Sequence, residues 1–244
     1  MTGIFDSHAH YDDARFDDCR DALLTSLFQS KTVSHLVNIG TNLQTSQNSI
    51  DLAERYPQIY AAVGIYPGDC LTCGEEDKVL ETIAAMLCHE KVVAIGEIGL
   101  DYHYDETPRE IQRHWMRRQM ELARETGFPV ILHDREAHGD CMDIIREFPE
   151  VTGVFHCYSG SAEMIPEIIR RGWYVSFSGV ITFKNANRIL DAVRAVPDDR
   201  ILVETDCPYL APHPMRGKTN RSDYLTYTLQ AAAMARSVDV QQLC

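Results

Sequence analysis

Eight short apolar runs recur along this chain, and stretches with helical periodicity separate most of them. The runs that we predict as strands are residues 3–7, 35–39, 59–64, 92–97, 129–133, 154–156, 174–178 and 201–204. Apolar residues recur at helical spacing in between, for example at 18–29, 77–89, 109–125, 139–148, 162–171 and 185–196. Strands that alternate with helices favour a parallel sheet, and a count of eight favours closure into a barrel. The sequence therefore predicts an α/β fold, a TIM-type (β/α)8 barrel.

The length and the composition fit one domain of this kind. The chain has 244 residues, of which 45% are hydrophobic, and such a barrel takes about 250 residues. No repeat, low-complexity tract or Gly/Ser-rich linker divides the sequence. We therefore predict a single domain over residues 1–244.

The charge balance and the apolar runs narrow the class of protein. The chain carries 23 basic and 36 acidic residues, a formal net charge of −13, which argues against a non-specific polyanion binder with a broad basic face. An enzyme that binds a few phosphates locally remains compatible with this charge. No apolar run approaches the roughly 18 residues of a membrane helix, and residues 1–10 show no signal for export. We expect a cytoplasmic protein with no membrane association and no obligate protein partner.

Polar residues that can bind a metal stand at the ends of five predicted strands. They are His8, His10, Glu97, His133, His156 and Asp206. The carboxyl ends of parallel barrel strands open on one face, so these side chains can converge although they are far apart in sequence. Each of them alone is as well explained by a structural hydrogen bond. Together, four imidazoles and two carboxylates predict a metal site that suits zinc or manganese better than magnesium, which prefers more oxygen ligands.

Five segments that carry these residues resemble the TatD family of metal-dependent deoxyribonucleases. They read FDSHAH from Phe5, AIGEIGLDY from Ala94, PVILHDR from Pro129, FHCYSG from Phe155 and VETDCPYLAP from Val203. The resemblance covers nearly the whole chain, and it implies a metal-dependent hydrolase barrel that cleaves phosphodiester bonds at a two-metal site. The substrate that it implies is DNA, either single-stranded or at 3′ ends, cleaved in the manner of an exonuclease.

The resemblance also implies a role for each ligand. His8, His10 and Asp206 would bind one divalent ion, His133 and His156 the other, and Glu97 would bridge the two; Mg, Mn and Zn all stay open. A water held by two such ions ionises near neutral pH. Glu97 and Asp206 are the predicted catalytic residues, with Asp206 accepting the proton of that water.

Three departures from the family's pattern bear on the substrate and on the chain end. The family's Gly-x-His-Pro-His segment reads Gly-Ile-Tyr66-Pro-Gly68 here, and its Asn-Glu-Pro segment reads Asn220-Arg-Ser222. We expect both changes in substrate-facing loops. The chain stops at Cys244, which predicts that the barrel lacks its last C-terminal helix.

Three further side chains are candidates for substrate binding. Arg135 could bind two phosphate oxygens with its planar guanidinium, or form a surface ion pair with Asp134 or Glu136. Tyr66 and Tyr158 could contact the substrate, Tyr158 by stacking on a base, or could pack at the barrel rim.

Two other functions compete with a hydrolase that acts on the ester bonds of DNA. The same metal site could hydrolyse an ester, lactone or amide of a small molecule, since a barrel supports many reactions. A non-catalytic metal-binding or nucleic-acid-binding protein is the third possibility. The pair Cys70 and Cys73 is a lone CxxC, which we interpret as ordinary thiols rather than a zinc or redox site.

Overall fold

The protein is described from a computed structural model, and the description covers residues 1–104 and 106–243. Two compact units are distinguished by their internal contacts. Met1–Asn38 and His156–Cys244 make up the first, here called the terminal unit, and Ile39–Phe155 make up the second, the central unit. The single domain over residues 1–244 stays a prediction.

Eight strands and eight α-helices alternate in the part of the chain that is described. The strands are β1 Ile4–Ala9, β2 Val33–Ile39, β3 Ile59–Val63, β4 Val92–Asp101, β5 Val130–Arg135, β6 Gly153–Phe155, β7 Tyr174–Phe177 and β8 Ile201–Val203. The helices are α1 Arg20–Gln29, α2 Leu43–Arg55, α3 Glu76–Met86, α4 Arg109–Thr126, α5 His138–Glu147, α6 Ile165–Arg170, α7 Asn187–Ala195 and α8 Leu225–Arg236. The strand order of the sheet follows the chain from β1 to β8. This confirms the predicted TIM-type (β/α)8 barrel.

In the terminal unit, β1 pairs in parallel with β2, and β7 pairs in parallel with β8. An isolated parallel bridge joins Ala9, at the end of β1, to Cys207 after β8. Helix α8 buries Leu225 and Leu229 against Ile4 of β1, and each such side chain contributes about 1.5–3 kcal/mol when it leaves water. The bridge between Ala9 and Cys207 holds the end of β1 beside the segment that follows β8.

Helix α8 follows β8, so each strand among the described residues is followed by an α-helix. The expectation that the barrel lacks its last C-terminal helix is therefore wrong for the eight strand–helix units, since α8 occupies that place. No helix in the described ranges is both long and apolar enough to cross a membrane.

In the central unit, β3, β4, β5 and β6 pair in parallel in this order. Strand β4 is longer than predicted, since it continues past Glu97 to Asp101. Gly99 makes this extension possible: it pairs with His133 of β5, and a Cβ at this position would lie 2.0 Å from the His133 carbonyl oxygen. Its φ of +138° is also a conformation that side chains other than glycine rarely adopt.

Helix α4 fastens the ends of β3 and β4 through two buried glutamines. It begins after Pro108 and ends at Gly127, whose φ of +75° terminates the helix in the left-handed conformation. Gln112 accepts a hydrogen bond from the amide of Asp101 at 2.8 Å and donates to its carbonyl at 2.9 Å. Gln119 binds both backbone groups of Ile65 in the same way, at 2.8 and 3.0 Å. The helix thereby fixes the backbone of Asp101 and of Ile65, which directly precedes Tyr66.

The CxxC pair shows the contacts of ordinary thiols. The Cys70 thiol donates to the Tyr66 carbonyl at 3.4 Å, and the Cys73 thiol donates to the Cys70 carbonyl at 3.4 Å. Burial raises the pKa of both thiols, so neither is an activated thiolate.

Candidate metal centre

Two histidines at the end of β1 and one aspartate after β8 converge in the terminal unit. His8 lies in β1 and His10 directly follows it. The two residues are two apart on extended chain, so their rings point the same way, and their Nε2 atoms are 3.1 Å apart. Oδ1 of Asp206 lies 3.7 Å from Nε2 of His8 and 3.4 Å from Nε2 of His10. One atom from each of the three residues lies within 4.8 Å of the others. Two imidazoles and a carboxylate at this spacing are able to bind one divalent cation.

The segment that carries Asp206 is held to β1 by backbone hydrogen bonds. The amide of Asp206 donates to the His8 carbonyl at 2.9 Å, and the amide of His10 donates to the Cys207 carbonyl at 2.8 Å. Asp206 has a φ of +56°, which is uncommon for a residue other than glycine and is maintained where surrounding contacts enforce it. Burial disfavours the charged form of Asp206, but the His10 hydrogen bond and the nearby His8 and His156 outweigh it and lower its pKa. The carboxyl group is therefore ionised at neutral pH.

The buried carboxylate of Asp6 stabilises this segment. Asp6 is completely buried and accepts hydrogen bonds from Thr205 and from the Ser222 hydroxyl. The side-chain amide of Asn220 donates to the Thr205 carbonyl at 2.9 Å. Asn220 and Ser222 are buried and brace the loop that carries Asp206. A substrate-facing role of this segment, in which Arg221 is partly exposed, stays a prediction.

His156 joins the same cluster from the loop after β6. Its ring stacks on His8 with 4.0 Å between centroids and 13° between planes. Its Nδ1 lies 3.2 Å from Oε1 of Glu204, which is completely buried. Oε2 of Glu204 is buried and has no hydrogen-bond partner among the residues described. The terminal unit thus brings together His8, His10, His156 and Asp206 of the predicted ligands, and it adds Glu204 behind His156.

A second cluster lies in the central unit, where Glu97 of β4 and His133 of β5 are neighbours. Nδ1 of His133 lies 2.6 Å from Oε1 of Glu97, and both side chains are largely buried. Both residues were predicted to lie at strand ends, and in the structure they are in direct contact. The contact is a short hydrogen bond between an imidazole and a carboxylate, two side chains whose donor atoms are of the kinds that bind transition metals.

Asp101 belongs to this cluster, and sequence analysis missed it. Its Oδ2 lies 3.0 Å from Nε2 of His133 and accepts a hydrogen bond of 2.6 Å from the Tyr66 hydroxyl. Burial disfavours ionisation of Asp101, but the His133 and Tyr66 hydrogen bonds outweigh it and hold the pKa of its carboxyl well below the ordinary value. A usable signal was present in the sequence. Asp101 stands four residues after Glu97 in one extended segment and therefore lies on the same face of β4.

Tyr66 is a partner of this cluster rather than an open substrate contact. Its ring packs edge-on against His133 with 5.0 Å between centroids. Burial and the hydrogen bond to Asp101 raise the pKa of its phenol, so that the hydroxyl stays a hydrogen-bond donor. A direct role of Tyr66 in substrate binding stays a prediction.

Arg135, at the end of β5, presents its guanidinium beside an exposed aromatic ring. Its Cζ lies 4.8 Å from the ring centroid of Tyr104, whose side chain is 52% exposed. The two acids that could have paired with Arg135 bind histidines instead. Asp134 lies 2.7 Å from His138 and Glu136 lies 2.8 Å from His103.

Tyr158 is 2% exposed, and its hydroxyl donates to the Ser161 carbonyl at 2.7 Å. Its ring packs edge-on against Phe177 of β7. A buried ring cannot stack on a base, so the prediction of Tyr158 as a substrate contact is wrong. Its apolar ring stabilises the interior of the terminal unit.

The residues of the first cluster fit a bound divalent cation, since His8, His10 and Asp206 each offer one ligand atom within 4.8 Å of the others. Imidazole nitrogens and carboxylate oxygens are the donors that zinc, manganese and related ions prefer. The unpartnered Glu204 oxygen supports this conclusion independently, because a buried carboxylate oxygen without a donor is costly unless positive charge lies close to it.

Comparisons with known proteins agree with this chemistry. The sequence model of the family described as TatD related DNase matches residues 5–244. YabD of Bacillus subtilis (strain 168), an uncharacterized metal-dependent hydrolase, is 39% identical over 242 residues, which are 98% of this chain and 94% of YabD. YcfH of Escherichia coli (strain K12), also an uncharacterized metal-dependent hydrolase, is 33% identical over 98% of this chain and 91% of YcfH.

A solved structure shares the fold as well. The crystal structure of YJJV, a TatD homologue from Escherichia coli K12, superposes with a TM-score of 0.88 at 30% identity and covers 98% of this chain and 94% of YJJV. The full-length sequence similarity, the shared fold and the candidate metal-binding group lead to one conclusion. This protein belongs to the TatD family and is a metal-dependent hydrolase.

Proposed function

We propose that the protein is a deoxyribonuclease that hydrolyses phosphodiester bonds at single-stranded segments or 3′ ends of DNA. The observation that carries the choice of substrate is the guanidinium of Arg135, which has no carboxylate partner among the described residues and lies over the exposed ring of Tyr104. A guanidinium can bind two phosphate oxygens at once, and an exposed aromatic ring can stack on a base. The name of the matching family, TatD related DNase, supports the same choice.

The proposed site uses two divalent ions. His8, His10 and Asp206 would hold one ion, and the family resemblance implies that His133 and His156 would hold the other and that Glu97 would contribute to both. When bound, the ions supply positive charge that stabilises the phosphate oxygens in the transition state and lowers the pKa of water.

Asp206 is the proposed general base. Its carboxylate is ionised at neutral pH and is fixed by the backbone bonds that tie it to β1, so it can orient a water and accept its proton. The oxygen of that water would bond to phosphorus as the P–O bond to the departing sugar oxygen breaks, and that oxygen would take a proton from solvent. Arg135 is the proposed contact to a substrate phosphate.

The alternative is hydrolysis of an ester, lactone or amide of a small molecule, which two observations favour. The Tyr66 hydroxyl is engaged with Asp101, and the net charge of −13 gives no general attraction for a polyanion. A substrate without phosphates would need neither Arg135 nor Tyr104.

The test is a parallel assay of the metal-loaded protein on an end-labelled oligonucleotide and on a panel of neutral esters and lactones. We expect cleavage of the oligonucleotide, with an affinity that falls steeply as salt rises, because phosphate contacts release counterions. Turnover of a neutral ester alone, unaffected by salt, would contradict the proposal. Binding of the oligonucleotide without cleavage in any metal would indicate a non-catalytic protein and contradict it as well.

A further inference from the structure

The carboxylate of Asp101 is fixed by hydrogen bonds on both oxygens. Oδ1 accepts from the backbone amides of His103 and Tyr104 at 3.0 and 3.2 Å, and Oδ2 accepts from the Tyr66 hydroxyl at 2.6 Å. Its backbone is held by Gln112 of α4. The side chain is 3% exposed, so Asp101 is an immobile acceptor rather than a solvated acid.

The remaining contact of this carboxylate is with Nε2 of His133, at 3.0 Å. An ionised carboxylate only accepts hydrogen bonds, so the imidazole must carry its proton at Nε2 to satisfy this contact. A metal ligand must be a neutral imidazole with one lone pair available. Nδ1 lies 2.6 Å from the Glu97 carboxylate, a contact that also needs a proton while no cation is bound. Because Glu97 is itself a proposed ligand, a cation held by Glu97 and Nδ1 would take the place of that proton, and the proton at Nε2 is the one that Asp101 retains.

We infer that Asp101 is a positioning residue that fixes the tautomer and ring orientation of His133 for metal binding through Nδ1, and that Tyr66 acts through Asp101 by donating to the same oxygen. This inference rests on the proposed role of His133 as a metal ligand. Partners of this kind in other metal sites orient the ligand and strengthen its basicity, and their loss weakens metal binding by about 10- to 100-fold.

The Tyr66 phenol points to Asp101 rather than to an open surface. Tyr66 is accordingly a part of the support of the metal site, and its removal is expected to change metal affinity before it changes the affinity for substrate.

The test measures binding of Mn²⁺ and Zn²⁺ alone, by competition with a chromophoric chelator, in full-length Asp101→Asn and Tyr66→Phe. We expect Asp101→Asn to weaken the binding of one ion by about 10- to 100-fold and Tyr66→Phe to weaken it less. The double variant should lose little more than Asp101→Asn, because both side chains act on His133 through one oxygen. Cobalt substituted into Asp101→Asn should show an altered visible absorption spectrum.

The chain offers a matched control in the same unit. Tyr102 donates its hydroxyl to Asp140, a second Tyr–Asp pair, which binds Arg113 and touches none of the proposed ligands. Tyr102→Phe and Asp140→Asn should keep the affinity for metal and the cobalt spectrum of the unchanged protein. Melting temperatures of the metal-free variants show whether each is folded.

The outcomes separate this inference from the proposed function. Asp101→Asn with unchanged metal affinity, alongside a His133→Ala variant that loses it, would overturn the inference and leave the ligand assignment intact. Equal losses in Asp101→Asn and Asp140→Asn would also overturn it, since the effect would then be general destabilisation. If His133→Ala binds both ions normally, the ligand assignment in the proposed function fails first.

Discussion

Thr205 donates both its backbone amide and its hydroxyl to the carboxylate of Asp6, at 2.9 and 2.6 Å. Thr205 directly precedes Asp206, whose φ of +56° is unfavourable for an aspartate. The two hydrogen bonds therefore anchor this strained segment directly beside the carboxylate of Asp206, which we propose as a metal ligand.

Asp6→Ala is expected to destabilise the metal-free protein by about 2–4 kcal/mol, because it leaves the Thr205 and Ser222 donors buried without an acceptor. Asp6→Asn should cost less, because the amide oxygen still accepts. Urea unfolding measures both. Asp143→Ala, which removes a surface ion pair with Arg146, is the control and should change stability by at most about 1 kcal/mol. Equal midpoints for Asp6→Ala and Asp143→Ala would refute the anchoring role.

Asp206→Asn is expected to keep the fold and to lose activity by about 100-fold or more, because an amide cannot accept the proton of the attacking water. The measurement is kcat on the oligonucleotide at saturating metal, together with the melting temperature of the metal-free variant. Asp223→Asn, which loses only a contact with Arg221, is the matched control. Full turnover by Asp206→Asn with both ions bound would show that another group is the base.

Removal of metal is expected to lower the melting temperature as well as to abolish activity. An ion at 100 times its Kd stabilises the folded state by about 2.7 kcal/mol, which corresponds to roughly 5–10 °C for a chain of this size. Dialysis against a chelator, followed by addition of Mn²⁺ or Zn²⁺, tests this by calorimetry. His8→Ala should reduce the shift, whereas His114→Ala, at an ion pair with Glu76, should leave it unchanged. A melting temperature indifferent to metal would contradict the proposed ligands.

Arg135→Ala is expected to raise KM for DNA with a smaller change in kcat, and to reduce the salt slope of DNA binding by about 1, the contribution of one phosphate contact. Binding titrations at several salt concentrations measure the slope. Arg117→Ala, which loses a surface pair with Glu147, should behave as the unchanged protein. An unaltered slope in Arg135→Ala would remove Arg135 from the substrate site.

The CxxC thiols are expected to react slowly with an alkylating reagent in the folded protein, since burial raises the pKa of Cys70 and Cys73. Cys19 and Cys88, which are exposed, should be labelled first. Mass spectrometry of a time course locates the label, and addition of denaturant should remove the difference. Preferential labelling of Cys70 would instead indicate an activated thiol.

The strand pattern predicted much of the candidate site, because the burial of a parallel strand makes both the strand and the polar residue that closes it visible in the sequence. A buried parallel strand reads as an apolar run, and a polar residue that closes such a run is recognisable without any tertiary information. His8 and His133 were located in this way, and both lie within strands of the structure.

The parts that sequence analysis missed depend on contacts between distant segments. Strand β4 continues through a glycine to Asp101 only because Gly99 pairs with His133 of the next strand, and a glycine usually interrupts a strand pattern. Gln112 looks like a surface residue of an amphipathic helix, yet it is buried because it satisfies the Asp101 backbone. Tyr158 was misassigned for the converse reason, since nothing local distinguishes a buried ring from an exposed one.

By itself, the sequence determined the barrel class, the family and the chemical types of the metal ligands, because periodicity and residue type are local properties. The tertiary structure alone decided which of the proposed ligands lie close together. It also decided that Tyr66 donates a hydrogen bond to Asp101, and that Asn220 and Ser222 brace the loop of Asp206. Buried polar groups must find partners wherever the fold places them, and those partners lie up to 216 residues apart here, as between Asp6 and Ser222.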